Sequence, residues 1–317
     1  MKSNVFALLL LAVMAVGCGQ GKKAESFSAL PFPEVIPPGM MTDPQDRAEY
    51  IAEHYWDAVT DPSREYPSDS LLLSGVLRTD VEQKFADWLS VLDMIPFQKA
   101  EKAVSRLYAR ILACGSNDSI SDMLLSFSEL SYKYFYDPNS PLRNEDYYHV
   151  FVSRLSKHPG LSSEMRDRYE YYSTMTSLNR TGTIASDFRF SDKNGIIRTL
   201  HSIKAPLTLL FFSNPGCEAC MDIINVLKGH EKIASMIAAG ELAVLNIYID
   251  EDIRAWRDYM SVYPDEWYNG FDPDLIIRNE NLYHVRAIPS LYLLDEEKRV
   301  ILKDAPENKV FGLLSSR

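Results

Sequence analysis

One stretch of this chain limits what it can fold into more than any other. An apolar run from Leu207 to Phe212 is typical of a buried strand. Pro215 and Gly216 then predict a turn. Cys217 and Cys220 follow, where apolar residues begin to recur at helical spacing. The pattern predicts a strand, a turn and a helix that carries a Cys-x-x-Cys pair at its N-terminal end.

This placement favours a redox-active dithiol. A sulfur at a helix N-terminus is stabilised as a thiolate by unpaired N–H groups and the helix dipole, and the thiolate is the nucleophile. Cys220 lies about one helical turn beyond Cys217, so it is placed to close a disulfide with it. The alternative is half of a zinc site, which requires a second nearby Cys or His pair. The remaining cysteines are Cys18 and Cys114 and the six histidines are scattered, so we expect neither metal nor cofactor.

Three separate motifs resemble one known family. From Gly182 onward the chain is similar to the TlpA-type, thioredoxin-like thiol–disulfide oxidoreductases. The matching motifs are residues 185–188 with the turn at 194–195, the strand leading into residues 217–220, and residues 285–295. The resemblance implies a thioredoxin-like α/β domain over residues 180–317. The alternation of strands and helices also favours a mixed sheet with helices on both faces.

The resemblance also implies a role for Ile288 and Pro289. Pro289 is expected to be cis and to pack opposite the dithiol, which leaves the Ile288 backbone free to pair with an extended substrate. The alternative is a trans proline that begins an edge strand. The chain departs from the family in two places. Gly216 stands where a Trp usually precedes the first cysteine, and Phe211 replaces the acid that thioredoxin buries.

Glu218 lies between the two cysteines and is expected to tune their chemistry. A carboxylate beside Cys217 opposes the thiolate and should raise the pKa of that thiol. A less stabilised thiolate makes a less oxidising couple, which predicts reduction or exchange of protein disulfides with electrons from a separate donor protein. Two alternatives are a redox-sensing binding or assembly lipoprotein without turnover and, less favoured, a peroxidase. Peroxidases of related fold place their cysteine among Thr and Arg residues, and no such surroundings are evident in this sequence.

The N-terminus predicts export. Residues 1–17 combine Lys2, a short apolar run and small residues, as a signal peptide does. Cys18 resembles the lipidated cysteine of bacterial lipoproteins, which implies a membrane anchor in the cell envelope facing the periplasm. The alternative is an ordinary signal peptide followed by an incidental cysteine. Residues 18–41 are rich in Pro, Gly, Lys and Ser and predict a flexible tether. The net charge of −11 argues against nucleic-acid binding.

Residues 42–179 predict an all-helical domain. Apolar and aromatic residues recur there at helical spacing between Asp-Pro breaks and capping boxes. We expect the aromatic stripes to form a core rather than a peptide groove. Placed before a redox domain, this segment resembles an uncharacterised domain of DUF5106 type found ahead of thioredoxin-like modules in envelope lipoproteins. The resemblance transfers no catalytic residue, and the domain boundary is expected near Asn179–Gly182.

Overall fold

A computed structural model describes residues 28–66, 69–115 and 120–317. The predicted signal peptide at 1–17 and Cys18 lie outside the described residues. Within those ranges, no helix has both the length and the hydropathy to cross a bilayer. The N-terminal helices are α1 Pro44–His54, α2 Arg78–Leu92, α3 Phe97–Ala113, α4 Asp122–Ser131, α5 Glu145–Leu155 and α6 Ser163–Thr176, with a π-helical turn at Tyr132–Tyr136 after α4.

Side-chain caps begin α1, α4, α5 and α6, whereas α2 and α3 begin without one, and aromatic packing joins the helices. The Asp43 carboxylate accepts the backbone N–H groups of Gln45 and Asp46, and Pro44 occupies the first turn of α1. The predicted stripes form a core whose large members include Trp56, Phe85, Trp88, Phe127 and Phe135. Trp88 donates its indole N–H to the Ala52 carbonyl at 3.0 Å, so its polar atom is paired. The interpretation of the stripes as core is confirmed.

The N-terminal half is helical, as predicted, apart from a small hairpin formed by β1 Leu72–Leu73 and β2 Val76–Leu77. One prediction for this half needs correction. The tether is not free along its whole predicted length of 18–41. The Leu30 N–H donates to the Gly75 carbonyl at 2.8 Å, and the Phe32 ring packs against Trp56. Phe32 packs its ring against the helical core, and Leu30 pairs through its backbone with the β1–β2 hairpin, which a composition rich in proline does not reveal.

The C-terminal half forms a seven-stranded mixed sheet. Its strands are β3 Arg189–Asp192, β4 Ile197–Thr199, β5 Leu207–Phe212, β6 Leu242–Tyr248, β7 Tyr268–Phe271, β8 Ser290–Leu294 and β9 Val300–Leu302. They lie in the order β4-β3-β7-β6-β5-β8-β9, with β5, β6 and β7 parallel and the other pairs antiparallel. The helices are α7 Glu218–Gly229, α8 Glu231–Ala238, α9 Ile253–Asp258, α10 Ile276–Asn279 and α11 Glu307–Ser315. The predicted fold class is confirmed.

Alternate residues of β5 pack into separate cores on the two faces of the sheet. Leu209 and Phe211 join the cluster that contains α7, α8 and α11, whereas Leu210 and Phe212 join the cluster beneath β3 and α10. Every residue of β5 is buried, as the continuous apolar run predicted. Because both faces are covered, β5 is held rigidly at the centre of the domain.

Strand β7 is the element that the sequence conceals. Residues 263–273 look like an aromatic, turn-rich loop because Asn269-Gly270 is a turn signal. The structure uses Gly270 for another reason. A Cβ atom there would lie 2.6 Å from the Phe190 ring of β3, so only glycine lets β3 and β7 pair this closely.

This close approach gives a test of the fold. Gly270→Ala should lower the free energy of unfolding by about 1–3 kcal/mol, because the added methyl overpacks the Phe190 contact. The matched control is Gly312→Ala at an exposed position of α11, where nothing lies within 4 Å of the new atom. That variant should gain about 0.5–1 kcal/mol from helix propensity. Denaturant unfolding measures both, and equal effects in the two variants would contradict the assigned β3–β7 packing.

Candidate active site

The two predicted cysteines meet at the N-terminus of α7. Cys217 caps the helix, and its sulfur accepts the Cys220 backbone N–H at 3.2 Å. The pair is joined as a disulfide with its Cα atoms 5.2 Å apart. Cys217 is half-buried, whereas Cys220 is only 2% exposed. In the reduced protein, this arrangement offers one accessible sulfur at the positive end of the helix dipole and keeps the second beneath it.

The loop before the cysteines explains one departure from the family pattern. Gly216 has φ of 73°, in the left-handed region that favours glycine over any residue with a Cβ. The preceding Asn214 donates its amide N–H to Asp250 at 2.9 Å, and Asp250 also pairs with Arg278 at 2.7 Å. Asp250 therefore braces the loop through Asn214.

The structure places Pro289 at the edge of the sheet that carries the dithiol loop. The Ile288–Pro289 peptide bond is cis. Ser290, the next residue, pairs across the sheet with Phe212, the last residue of the strand that leads to the cysteines. Pro289 and Ala219, which lies between the cysteines, line one cleft. The pairing of β5 with β8 therefore brings the proline loop and the dithiol loop to the same edge of the sheet.

The segment before Pro289 has free backbone groups. Within the described chain, residues 285–288 make no backbone–backbone hydrogen bond. The Ile288 side chain packs against both faces of the sheet, which anchors the segment while its peptide groups stay unpaired. An extended polypeptide could pair with such groups as an added strand. The roles of Ile288 and Pro289 in substrate binding stay predictions.

A series of buried, hydrogen-bonded polar side chains lies behind the dithiol loop, and part of it is in the strand next to Phe211. Ser213 donates its hydroxyl to the Asn246 side chain, which in turn donates to the Asn269 side chain at 3.1 Å. Asn269 donates to the Pro264 carbonyl at 2.7 Å. Phe211 itself is fully buried in the cluster that contains Cys220. The side chain of Phe211 thus makes the interior beneath the dithiol apolar. The polar groups beside Phe211 are neutral amides rather than a carboxylate.

A buried charge cluster that sequence reasoning missed ties the proline loop to the helical domain. Glu145, at the start of α5, pairs with Arg286 at 2.7 Å and with Lys303 at 3.0 Å. Arg286 also pairs with Asp304 at 2.6 Å, and Asp304 accepts the hydroxyl of Ser290 at 2.7 Å. These links join α5 to the residues on both sides of the cis proline. No local pattern announces them, because the partners are far apart in sequence.

The charges around Glu145 determine its ionisation. Burial raises the pKa of this carboxyl, but the attraction of Lys303 and the contacts with His284 and Arg286 outweigh burial and lower it from 4.5 to about 2. The start of a helix also favours a carboxylate. A buried ion pair that loses one partner leaves the other charge uncompensated, so loss of Glu145 would leave Arg286 and Lys303 without this carboxylate at the contact between α5 and the C-terminal half.

Among the described residues, no group of three or more His, Cys, Asp or Glu side chains is arranged to hold a metal ion. Cys114 lies at the end of α3 as a half-buried thiol with no disulfide partner among the described residues, and burial raises its pKa. It is therefore less reactive than an ordinary exposed cysteine at neutral pH. Glu218 is exposed beside the dithiol, and its tuning role stays a prediction.

The fold and the cysteine site define a thioredoxin-like protein, and comparisons with known proteins agree. A family model described as a domain of unknown function (DUF5106) matches residues 18–179. A crystal structure of a thioredoxin-like protein from Bacteroides caccae is 32% identical, with a TM-score of 0.76, and the match covers 92% of this chain and all of that one. The chain belongs to the DUF5106 family, with a thioredoxin-like domain following the family domain.

Another match covers the second half alone. The C-terminal domain of an uncharacterized protein from Bacteroides fragilis is 46% identical, with a TM-score of 0.42. The match covers 43% of this chain and 98% of that one. None of the curated proteins compared with the chain matches it.

The Glu145 cluster predicts a pH-dependent stability difference. Glu145→Gln should lower the free energy of unfolding by about 3 kcal/mol at pH 7, because it removes one partner of a buried ion pair. The folded pKa lies below the unfolded one, so this contribution is present above about pH 4.5 and lost as the pH falls towards about 2. Urea unfolding from pH 7 to pH 3 should show the wild type and variant converging.

The control for this experiment is Glu231→Gln, which removes the same charge from an exposed position at the start of α8. It should leave the pH dependence of unfolding unchanged, because exposed charges contribute little. A gap between wild type and Glu145→Gln that stays constant down to pH 3 would contradict the assigned ionisation of Glu145.

Proposed function

We propose that this protein is an extracytoplasmic thiol–disulfide oxidoreductase that reduces or exchanges protein disulfides through Cys217 and Cys220. The observation that carries the proposal is the pair itself: an accessible sulfur capping α7, a buried partner one turn along, and a cis proline at the same sheet edge. A disulfide within the first turn of one helix crosslinks no distant parts of the chain. Its position at a helix terminus beside an open cleft fits exchange chemistry better than structural bracing.

The chemical step is balanced by the two cysteines. The Cys217 thiolate attacks one sulfur of a substrate disulfide, which forms a mixed disulfide and releases the other substrate sulfur as a thiolate. Cys220 then loses its proton and attacks Cys217, which releases the second substrate thiolate. Two electrons pass to the substrate and the Cys217–Cys220 disulfide forms. A separate dithiol protein must return the electrons before the next cycle.

Glu218 gives the proposal its direction. Its carboxylate beside Cys217 opposes the thiolate that the helix terminus stabilises, so the couple should favour giving electrons rather than taking them. The location proposed is the cell envelope, with the protein held by a lipid on Cys18 and facing the periplasm. The sequence of residues 1–18 supports export. Export fits the proposed chemistry, because exported compartments contain the disulfides on which such a protein acts.

Trapping the mixed disulfide tests the proposal. Reduced Cys220→Ser protein mixed with insulin should accumulate a covalent adduct through Cys217, because the resolving thiol is missing. The adduct should appear on a non-reducing gel, disappear with dithiothreitol and be absent from the Cys217→Ser variant. Cys114→Ser on the Cys220→Ser background is the matched control and should keep the adduct.

Two outcomes would count against the mechanism. If no adduct forms while Cys217 still reacts with iodoacetamide, Cys220 is not the resolving cysteine. If the wild-type protein, once reduced, also fails to reduce insulin, the dithiol serves as a redox sensor in a binding protein rather than as a catalyst.

A further inference from the structure

The helical domain forms one wall of the cleft beside the dithiol. This cleft, of about 480 Å³, has a floor made by α7 and α11 of the thioredoxin-like domain, and one end is closed by residues 287–289. Its roof is the loop between the π-helical turn and α5, which contributes Pro138, Asn139, Pro141 and Arg143. A thioredoxin-like domain alone would leave this floor open to solvent.

The floor is largely apolar. Ala219, Ile223 and Val226 lie on one side of α7 at helical spacing, and Phe311 faces them from α11. Val226 is 38% exposed although it is a large aliphatic residue next to a redox site. Such a surface suits an apolar side chain of a bound polypeptide.

The negative charge of the floor comes from two acidic side chains. Asp222 and Glu307 line the cleft, and neither has an ion-pair partner within the described part of the chain. The cation of the roof is Arg143, but its guanidinium donates to the carbonyls of Asp304 and Ala305 at 3.0 Å and is thereby turned towards the protein. The cleft therefore complements a cationic group on its ligand.

The roof is held in place rather than hanging loosely over the floor. Arg143 ties it to the C-terminal domain, and Glu145 follows two residues later with its buried pairs to Arg286 and Lys303. The same cluster fixes the segment that precedes Pro289. One set of contacts therefore holds the roof, the floor and the proline loop together.

We propose that this cleft selects an extended polypeptide segment that carries an apolar side chain and a Lys or Arg close to its disulfide. The apolar side chain lies on the α7–α11 floor, the cation pairs with Asp222 and Glu307, and the roof of the helical domain closes over both. The proposal rests on the disulfide chemistry proposed above and adds a substrate class and a function for the helical domain.

Single-turnover kinetics of the reduced full chain test this selection. Two peptides of equal length, each with one internal disulfide, differ only in having two Lys or two Glu beside a Leu and a cysteine. The ratio of their second-order rate constants is the measurement, and the neutral 2-hydroxyethyl disulfide serves as a cleft-independent substrate. The wild type should prefer the Lys peptide about tenfold, as expected for two partly exposed charge pairs.

Charge variants locate the selection. Asp222→Lys with Glu307→Lys should invert the ratio, whereas Glu241→Lys with Glu296→Lys, which makes the same change in net charge at exposed sites outside the cleft, should keep it. Asn139→Lys adds a cation to the roof and should lower the ratio about threefold. Gln45→Lys in α1, outside the cleft, is the matched helical-domain control and should not.

Each outcome decides one claim. If 2-hydroxyethyl disulfide is reduced but the two peptides react equally, the substrate class is wrong and the redox function stands. A ratio that responds to positions 222 and 307 but not to position 139 overturns the role of the helical domain. If the wild type reduces none of the three substrates, the proposed redox function fails and the cleft proposal fails with it.

Discussion

The antiparallel pairing of β5 with β8 is the constraint on which the site depends. It places Ser290 opposite Phe212, so the loop that carries Pro289 and the loop that carries Cys217 leave the sheet at the same edge. Burial of β5 on both faces makes this pairing rigid, because neither strand can shift register without exposing apolar residues. The dithiol and the cis proline thus stand together for a reason that lies in the core of the sheet.

The Glu145 cluster extends this constraint to the second domain. Burying five charged or ionisable groups is costly unless they pair with one another. Glu145, Arg286, Lys303 and Asp304 do so at distances of 2.6 to 3.0 Å, with His284 at 3.0 Å. An apolar interface would hold two domains together at many relative positions. This one requires specific partners, and two of them, His284 and Arg286, belong to the segment that precedes Pro289.

Structural features that short sequence patterns determine could be predicted, whereas features that depend on residues far apart in the chain could not. The Cys217–Cys220 helix, the buried strand β5 and the Asp43 cap of α1 follow from short patterns and are present, whereas α2 begins without the side-chain cap that its sequence predicts. Strand β7 was not predicted because Gly270 looks like a turn residue. Glycine is needed there because the Phe190 ring of another strand packs against it. The roof of the cleft and the Glu145 cluster were not predicted, because each joins residues far apart in the chain. No periodicity or motif marks a pair such as Arg143 and the Asp304 carbonyl.

The central claim is that Cys217 and Cys220 form a reversible, electron-donating couple. Equilibrating the protein with buffers of reduced and oxidised dithiothreitol or glutathione, followed by mass spectrometry of alkylated thiols, measures it directly. The account predicts one two-electron transition of this pair at a potential more negative than about −180 mV, with Cys114 a free thiol throughout. A pair that does not interconvert, or one with a potential near about −120 mV, that of a strong oxidant, would contradict it.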